Sequence, residues 1–134
     1  MSISDLIEWL VMAISNIWKI VSCGKLLTIG VKAYENKEGT IELKELKWGV
    51  MELGQMREME IFVMNTSNVD VVLELSDANW NPPSAEQSIV YAWDYVGTVL
   101  VPMQLIAVML QCSIEKDVHD IIAWSNDLII IGVR

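Results

Sequence analysis

The sequence predicts a mainly β protein: an antiparallel, immunoglobulin-like β-sandwich of seven to eight strands preceded by one hydrophobic N-terminal α-helix. Two observations carry this expectation. From Leu6 to Gly30 the apolar residues recur at helical spacing, whereas past Lys32 they alternate in short runs broken by Gly, Asn, Asp and Pro. The second stretch, about 100 residues, has the size of one such sandwich. The boundary is therefore expected at residue 31, with a helix over 1–31, a sandwich over 32–134, and the fragment 35–134 able to fold alone.

The N-terminal stretch is the first element to justify. On a helix, Asp5, Glu8, Ser15, Lys19 and Ser22 fall on one narrow stripe, and Leu6, Ile7, Trp9, Leu10, Val11, Ile14, Ile17, Trp18, Ile20 and Val21 surround it. That apolar face is wider than a surface helix of a globular domain needs. Ser2 or Ser4 supplies the N-cap. A membrane span takes about 20 mostly apolar residues. Leu6–Leu27 has that length, but Lys19 sits inside it, and a central charge costs roughly 2.5–3.5 kcal/mol on insertion scales. An interfacial helix, or one packed between subunits, tolerates the stripe better. A cleaved signal peptide lacks its basic start, and Ile20-Val21-Ser22-Cys23, which resembles a lipoprotein processing box, is flanked by the wrong charge.

The strands follow by period two. Leu27, Ile29, Val31 and Ala33 alternate, a first strand continuing from the helix. Ile41 and Leu43 alternate, and Leu46 and Trp48 do so in the opposite phase, a slip at Lys44-Glu45 that reads as a bulge or corner. Met59, Ile61 and Val63 point inward with Glu58 and Glu60 outward. Asn65-Thr66-Ser67-Asn68 is a turn, then Val69, Val71, Leu73 and Leu75 alternate. Ser76–Gln87 reads as a loop stopped by Pro82-Pro83. Ile89, Tyr91 and Trp93 form the next strand, Leu105–Ser113 is apolar on both faces like a central strand, and Ile121–Trp124 and Leu128–Val133 close the domain. Trp48 and Trp93 are expected in the core.

The charge is unevenly placed. Residues 1–34 carry three lysines against two acids, +1; the remaining six bases and sixteen acids give −10 of the net −9. An acidic surface repels phosphate backbones, so nucleic acid is not an expected partner. The two cysteines, Cys23 and Cys112, are expected to be free, Cys112 on a core face with Val108, Leu110 and Ile114.

No catalytic constellation stands out. His119 is the only histidine and has no nucleophile motif near it. Asp77-Ala78-Asn79-Trp80-Asn81 opens like a calcium loop, but Pro82 and Ser88 occupy the places where such a loop needs Gly and Glu. No cofactor and no metal are expected. Three residues remain as candidates for interaction: Asn65, in an Asn-Thr-Ser glycosylation sequon; Trp80, an aromatic beside the prolines that either offers a surface platform or folds over one end of the core; and Lys19, a contact for a neighbouring subunit's carboxylate.

Trp48-Gly49, Gly54, Asn65-Thr66-Ser67-Asn68, Leu73 and Leu75, Asn79-Trp80-Asn81-Pro82, Trp93, Leu100, Pro102 and a last strand ending at Gly132 occur in an order that resembles a group of small, uncharacterised archaeal envelope proteins. Those proteins carry an N-terminal hydrophobic helix and an Ig-like domain, and Gly30-Val31-Lys32-Ala33-Tyr34 is similar to their exit from the membrane helix. The chain departs from the pattern at Ile122–Asp127, where aromatic residues are usual, and at Lys19. The hydrophobic helix, the acidic β domain and the absence of catalytic groups point to a non-enzymatic, membrane-anchored envelope protein with an extracellular sandwich for structural or adhesive contacts. Its partners are then membrane lipid, through residues 6–27, and other envelope proteins or copies of itself. A filament or pilus subunit assembled through the N-terminal segment is the second expectation, and a carbohydrate- or cation-binding module the third.

Overall fold

Residues 19–29, expected to form the second half of a helix, are a β-strand in the middle of a sheet. The computed structural model describes residues 19–115 and 123–134, with side chains from residue 24 onward. Eight strands follow in order: β1 (Lys19–Ile29), β2 (Val31–Tyr34), β3 (Glu45–Glu52), β4 (Met56–Asn65), β5 (Val72–Asn81), β6 (Ile89–Trp93), β7 (Leu105–Ile114) and β8 (Ala123–Val133). They form two four-stranded sheets, β3-β1-β8-β5 and β2-β4-β7-β6. The predicted sandwich is therefore present, with one strand more than the sequence boundary allowed.

β1 pairs antiparallel with β3 from Lys19↔Glu52 to Lys25↔Glu45, and parallel with β8 from Val21↔Ala123 to Ile29↔Ile131. The parallel pair departs from the all-antiparallel expectation. Where the strand is described, its side chains alternate, with Leu26 buried and Lys25, Leu27 and Ile29 exposed. That is the period of a strand with one face on a core and one on solvent. The expected helix thus does not reach beyond Trp18, and its remaining part, Leu6–Trp18, lies outside the described residues. Among the described residues no helix is long and apolar enough to cross a membrane.

Gly30 turns the chain from one sheet to the other. Its φ of 72° is a backbone state that L side chains rarely adopt, and a Cβ there would stand 3.6 Å from the Gly132 carbonyl oxygen. Beyond it, β2 joins the second sheet by pairing with β4, Val31↔Asn65 to Tyr34↔Phe62. The expected single strand Leu27–Ala33 is therefore two strands on different layers.

The inward phases of the remaining strands are those the alternation predicts, except in β3, where the phase shifts after Gly49 so that Met51 is buried and Val50 exposed. Leu46, Trp48 and Met51 of β3, Ile61 and Val63 of β4, Leu73 of β5, Val108, Leu110, Cys112 and Ile114 of β7, and Trp124, Leu128 and Ile130 of β8 form the buried core with Leu26, Val31 and Ala33. Three details differ. β5 runs on to Asn81, through the expected loop, and a short 3₁₀ turn at Pro83–Gln87 follows. β8 is one strand rather than two. Trp93 is half-buried against Tyr95, ring centroids 5.3 Å apart, rather than central.

Because β1 bridges β3 to β8, a domain boundary at residue 31 cuts the sandwich. The fragment 35–134 lacks Leu26, Val31 and Ala33 and leaves β3 without a strand partner in its sheet. Circular dichroism of that fragment is expected to show no cooperative melt. A sharp melt near that of the full chain would contradict the placement of β1.

Candidate functional site

Four tryptophan and tyrosine rings gather at one end of the sandwich. Trp80 of β5 lies 5.6 Å from Trp124 of β8 and 5.9 Å from Tyr91 of β6, and Trp48 of β3 lies 6.2 Å from Tyr91, all between centroids. These are the tilted and edge-on separations that aromatic pairs favour. Trp80 is half-buried, and its indole Nε1 donates to Asp77 Oδ1 at 2.8 Å. It thus covers the end of the core as the second of the two readings of Trp80 describes, but from a strand instead of a loop.

Tyr91 donates its hydroxyl to the Oδ1 of buried Asn126 at 2.8 Å. Burial raises the Tyr91 pKa well above its ordinary value, so this hydroxyl stays a donor. Asn126 stands opposite Gly24 in the β1–β8 register. A Cβ on Gly24 would meet the Asn126 carbonyl oxygen at 3.0 Å and its Oδ1 at 3.1 Å, so glycine lets β1 approach this buried amide.

Above this floor the outer face of the first sheet carries a groove of about 490 Å³ lined by Gly24, Lys25, Glu45, Asn79, Asn81 and Asp127, among others. Asn79 adopts φ 55° at the bulge where β5 loses register with β8, and its Nδ2 donates to Asp127 Oδ2 at 2.6 Å. The residues that resemble the start of a calcium loop therefore lie on a strand and bond to other protein groups. Among the described residues no cluster of His, Cys, Asp and Glu is arranged to hold a metal ion. The groove offers amide, hydroxyl, carboxylate and ammonium groups for hydrogen bonding.

Asn65 is the residue whose role the sequence misjudges. It ends β4 with no exposed surface. Its Nδ2 donates to the carbonyls of Val69 at 2.7 Å and Leu100 at 2.9 Å, and its Oδ1 accepts from Ser67 N at 2.9 Å and Ser67 Oγ at 2.6 Å. The nitrogen that would carry a glycan is spent on two buried bonds, and the folded chain leaves no room for a sugar there. The serine that completes the sequon is the partner that completes this knot, so one short sequence serves two readings. Lys19 opens β1 opposite Glu52 in register instead of lying on a helix stripe. His119 lies outside the described residues.

Cys112 is buried and free. Burial pushes its thiol up to about 12. The sequence matches no protein-family model and no curated protein. The fold and the chemistry of its faces therefore carry the functional argument.

Asn65→Ala is expected to destabilise the protein by about 2–4 kcal/mol in denaturant titration, since it leaves buried donors and acceptors without partners. A loss under about 0.5 kcal/mol would mean that the knot contributes little.

Cys112 in a Cys23→Ser chain is expected to resist iodoacetamide at pH 8 until denaturant is added, because the thiolate is the reactive form. The same shift makes stability pH-dependent. The contribution is fully present below the thiol's unfolded pKa of about 8.5. It is lost as pH rises toward the folded value of about 12, since the unfolded chain ionises first. Rapid labelling of the native protein would contradict the burial.

Proposed function

We propose that this chain is a non-enzymatic structural subunit of an extracellular envelope assembly, a filament or pilus held together through its apolar N-terminal segment. The observation that carries the proposal is the place of β1 in its sheet, between β3 and β8. In the sequence the apolar residues of Leu6–Trp18 immediately precede the strand that bridges β3 and β8. A segment joined in this way transmits load to the middle of a sheet, as a filament subunit requires. The acidic sandwich, −10 over residues 35–134, suits a solvated outer surface.

The membrane-anchored form of the same envelope role keeps its sandwich outside and places the apolar segment in lipid. It is the weaker reading because β1 takes the C-terminal half of the span expected over Leu6–Leu27. A carbohydrate- or cation-binding role rests on the polar groove beside Gly24 and Asp127 alone.

Fractionation of cells expressing the full chain tests the proposal. The expected result is sedimenting material of high mass that shear releases and electron microscopy shows as fibres. Monomer that stays with membranes until detergent extracts it would overturn the assembly reading in favour of the anchor.

A further inference from the structure

We propose that the polar groove on the outer face of the β3-β1-β8-β5 sheet is a binding site for a neutral saccharide, held by hydrogen bonds to its vicinal hydroxyls. The inference gives the groove a ligand class and a set of contacts. It uses none of residues 1–18, so it stands apart from the assembly reading.

The groove crosses the whole sheet. Glu45 of β3 stands opposite Lys25 of β1, and Lys25 stands opposite Asp127 of β8. Asn81 of β5 stands opposite Ser125 of β8, and Asn79 lies in the bulge between Asn81 and Ala78, the partner of Asp127. Three strand spacings make this row about 14 Å long, and the groove along it measures about 490 Å³. Those dimensions suit a short oligosaccharide lying across the strands.

The side chains along the row run against their local structure. Asn and Asp are depleted in strands, yet Asn79, Asn81 and Asp127 lie within β5 and β8. Asn81 is exposed, so packing does not compensate for it. Residues that oppose their local structure without a packing gain are expected where a surface has a second task.

Much of the hydrogen-bonding capacity is unspent. Asn79 Nδ2 donates to Asp127 Oδ2 at 2.6 Å, which fixes an amide beside a carboxylate and leaves Asn79 Oδ1 and Asp127 Oδ1 as acceptors. Among the described residues the side chains of Lys25, Asn81 and Ser125 have no hydrogen-bond partner, and Glu45 reaches only Lys47, at 3.9 Å.

The chemistry of these groups selects the ligand. A sugar hydroxyl both donates and accepts, and an amide next to a carboxylate offers both functions to a pair of hydroxyls. Apart from Gly24, every lining residue carries a polar or charged side chain, which gives an apolar ligand little to bury against. One ammonium faces two carboxylates in a chain of net charge −9, so phosphate and sulfate groups are repelled. Trp80, between Asn79 and Asn81, packs against Trp124 and the core. Hydrogen bonds, and not ring stacking, therefore hold the sugar.

A glycan array carrying neutral, sialylated and sulfated oligosaccharides, probed with the full-length chain and read by antibody, tests the proposal. The expected result is retention on neutral glycans and none on the anionic ones, unchanged by EDTA. Asn81→Ala and Ser125→Ala are each expected to keep the cooperative melt and to weaken retention about tenfold, the loss that follows one unmade hydrogen bond. Asp127→Asn keeps an acceptor for Asn79 and removes the charge, and it is expected to weaken retention by about tenfold or more, since charge-assisted bonds are the stronger ones. Ser76→Ala, on the same face but outside the groove, is expected to change retention less than about twofold. An array with no neutral glycan retained overturns the proposal, as does retention that all three groove variants leave intact. Retention confined to sialylated or sulfated glycans assigns an anion site, and retention lost in EDTA assigns a bridging cation. Either result overturns direct recognition of a neutral sugar. Should one variant lose its melt, the other two decide.

Discussion

In the first sheet, β3 meets the rest only through β1. Remove β1 and that sheet separates into a lone β3 and the pair β8–β5, while Leu26 leaves the core. The parallel pairing of β1 with β8 is the constraint behind several local features. It ties the first described strand to the last, sequence neighbours of neither, so closure of the sandwich waits for residues some hundred positions apart to meet. Such non-local pairing carries the loop-closure cost that slows β-rich folding. Gly24 is bare because β1 lies close to Asn126, and Gly30 takes a positive φ because the strand must then cross to the second layer.

β1 also shapes the outer surface of its sheet. The outward face of β1 changes from Lys25 to Leu27 and Ile29 along its length. The polar groove and the aromatic end belong to a different region, where hydrogen bonds such as Asn79 to Asp127 and Tyr91 to Asn126 are already made within the chain.

Much of the sandwich was legible because strands with one wet face print a period of two. The phases of Met59–Val63, Leu73 and Val108–Ile114 follow from it directly, and Cys112 was placed in the core by its spacing. The first strand was not legible. Residues 19–23, Lys-Ile-Val-Ser-Cys, hold apolar residues that fit a helical stripe as well as a strand, and a short apolar run does not distinguish the two. The signal that favours a strand is the β-branched content of Ile20, Val21, Thr28 and Ile29, and the long apolar run before it masks that signal. The parallel partner could not be read at all, since pairing across such a separation leaves no local pattern. Asn65 shows a different limit. The Asn-Thr-Ser triplet reads the same whether the amide faces solvent or, as here, bridges Val69 and Leu100 in the interior. Pro82-Pro83 after Trp80 predicts a loop, although the prolines end β5 rather than exclude it.

Amide hydrogen exchange of the full-length protein, resolved by residue, addresses the central claim most directly. If β1 bridges its sheet, the amides of Val21–Leu26 exchange as slowly as those of Leu128–Ile130, at the rate of global unfolding. Fast exchange across residues 19–29, or helical chemical shifts there, would contradict the account.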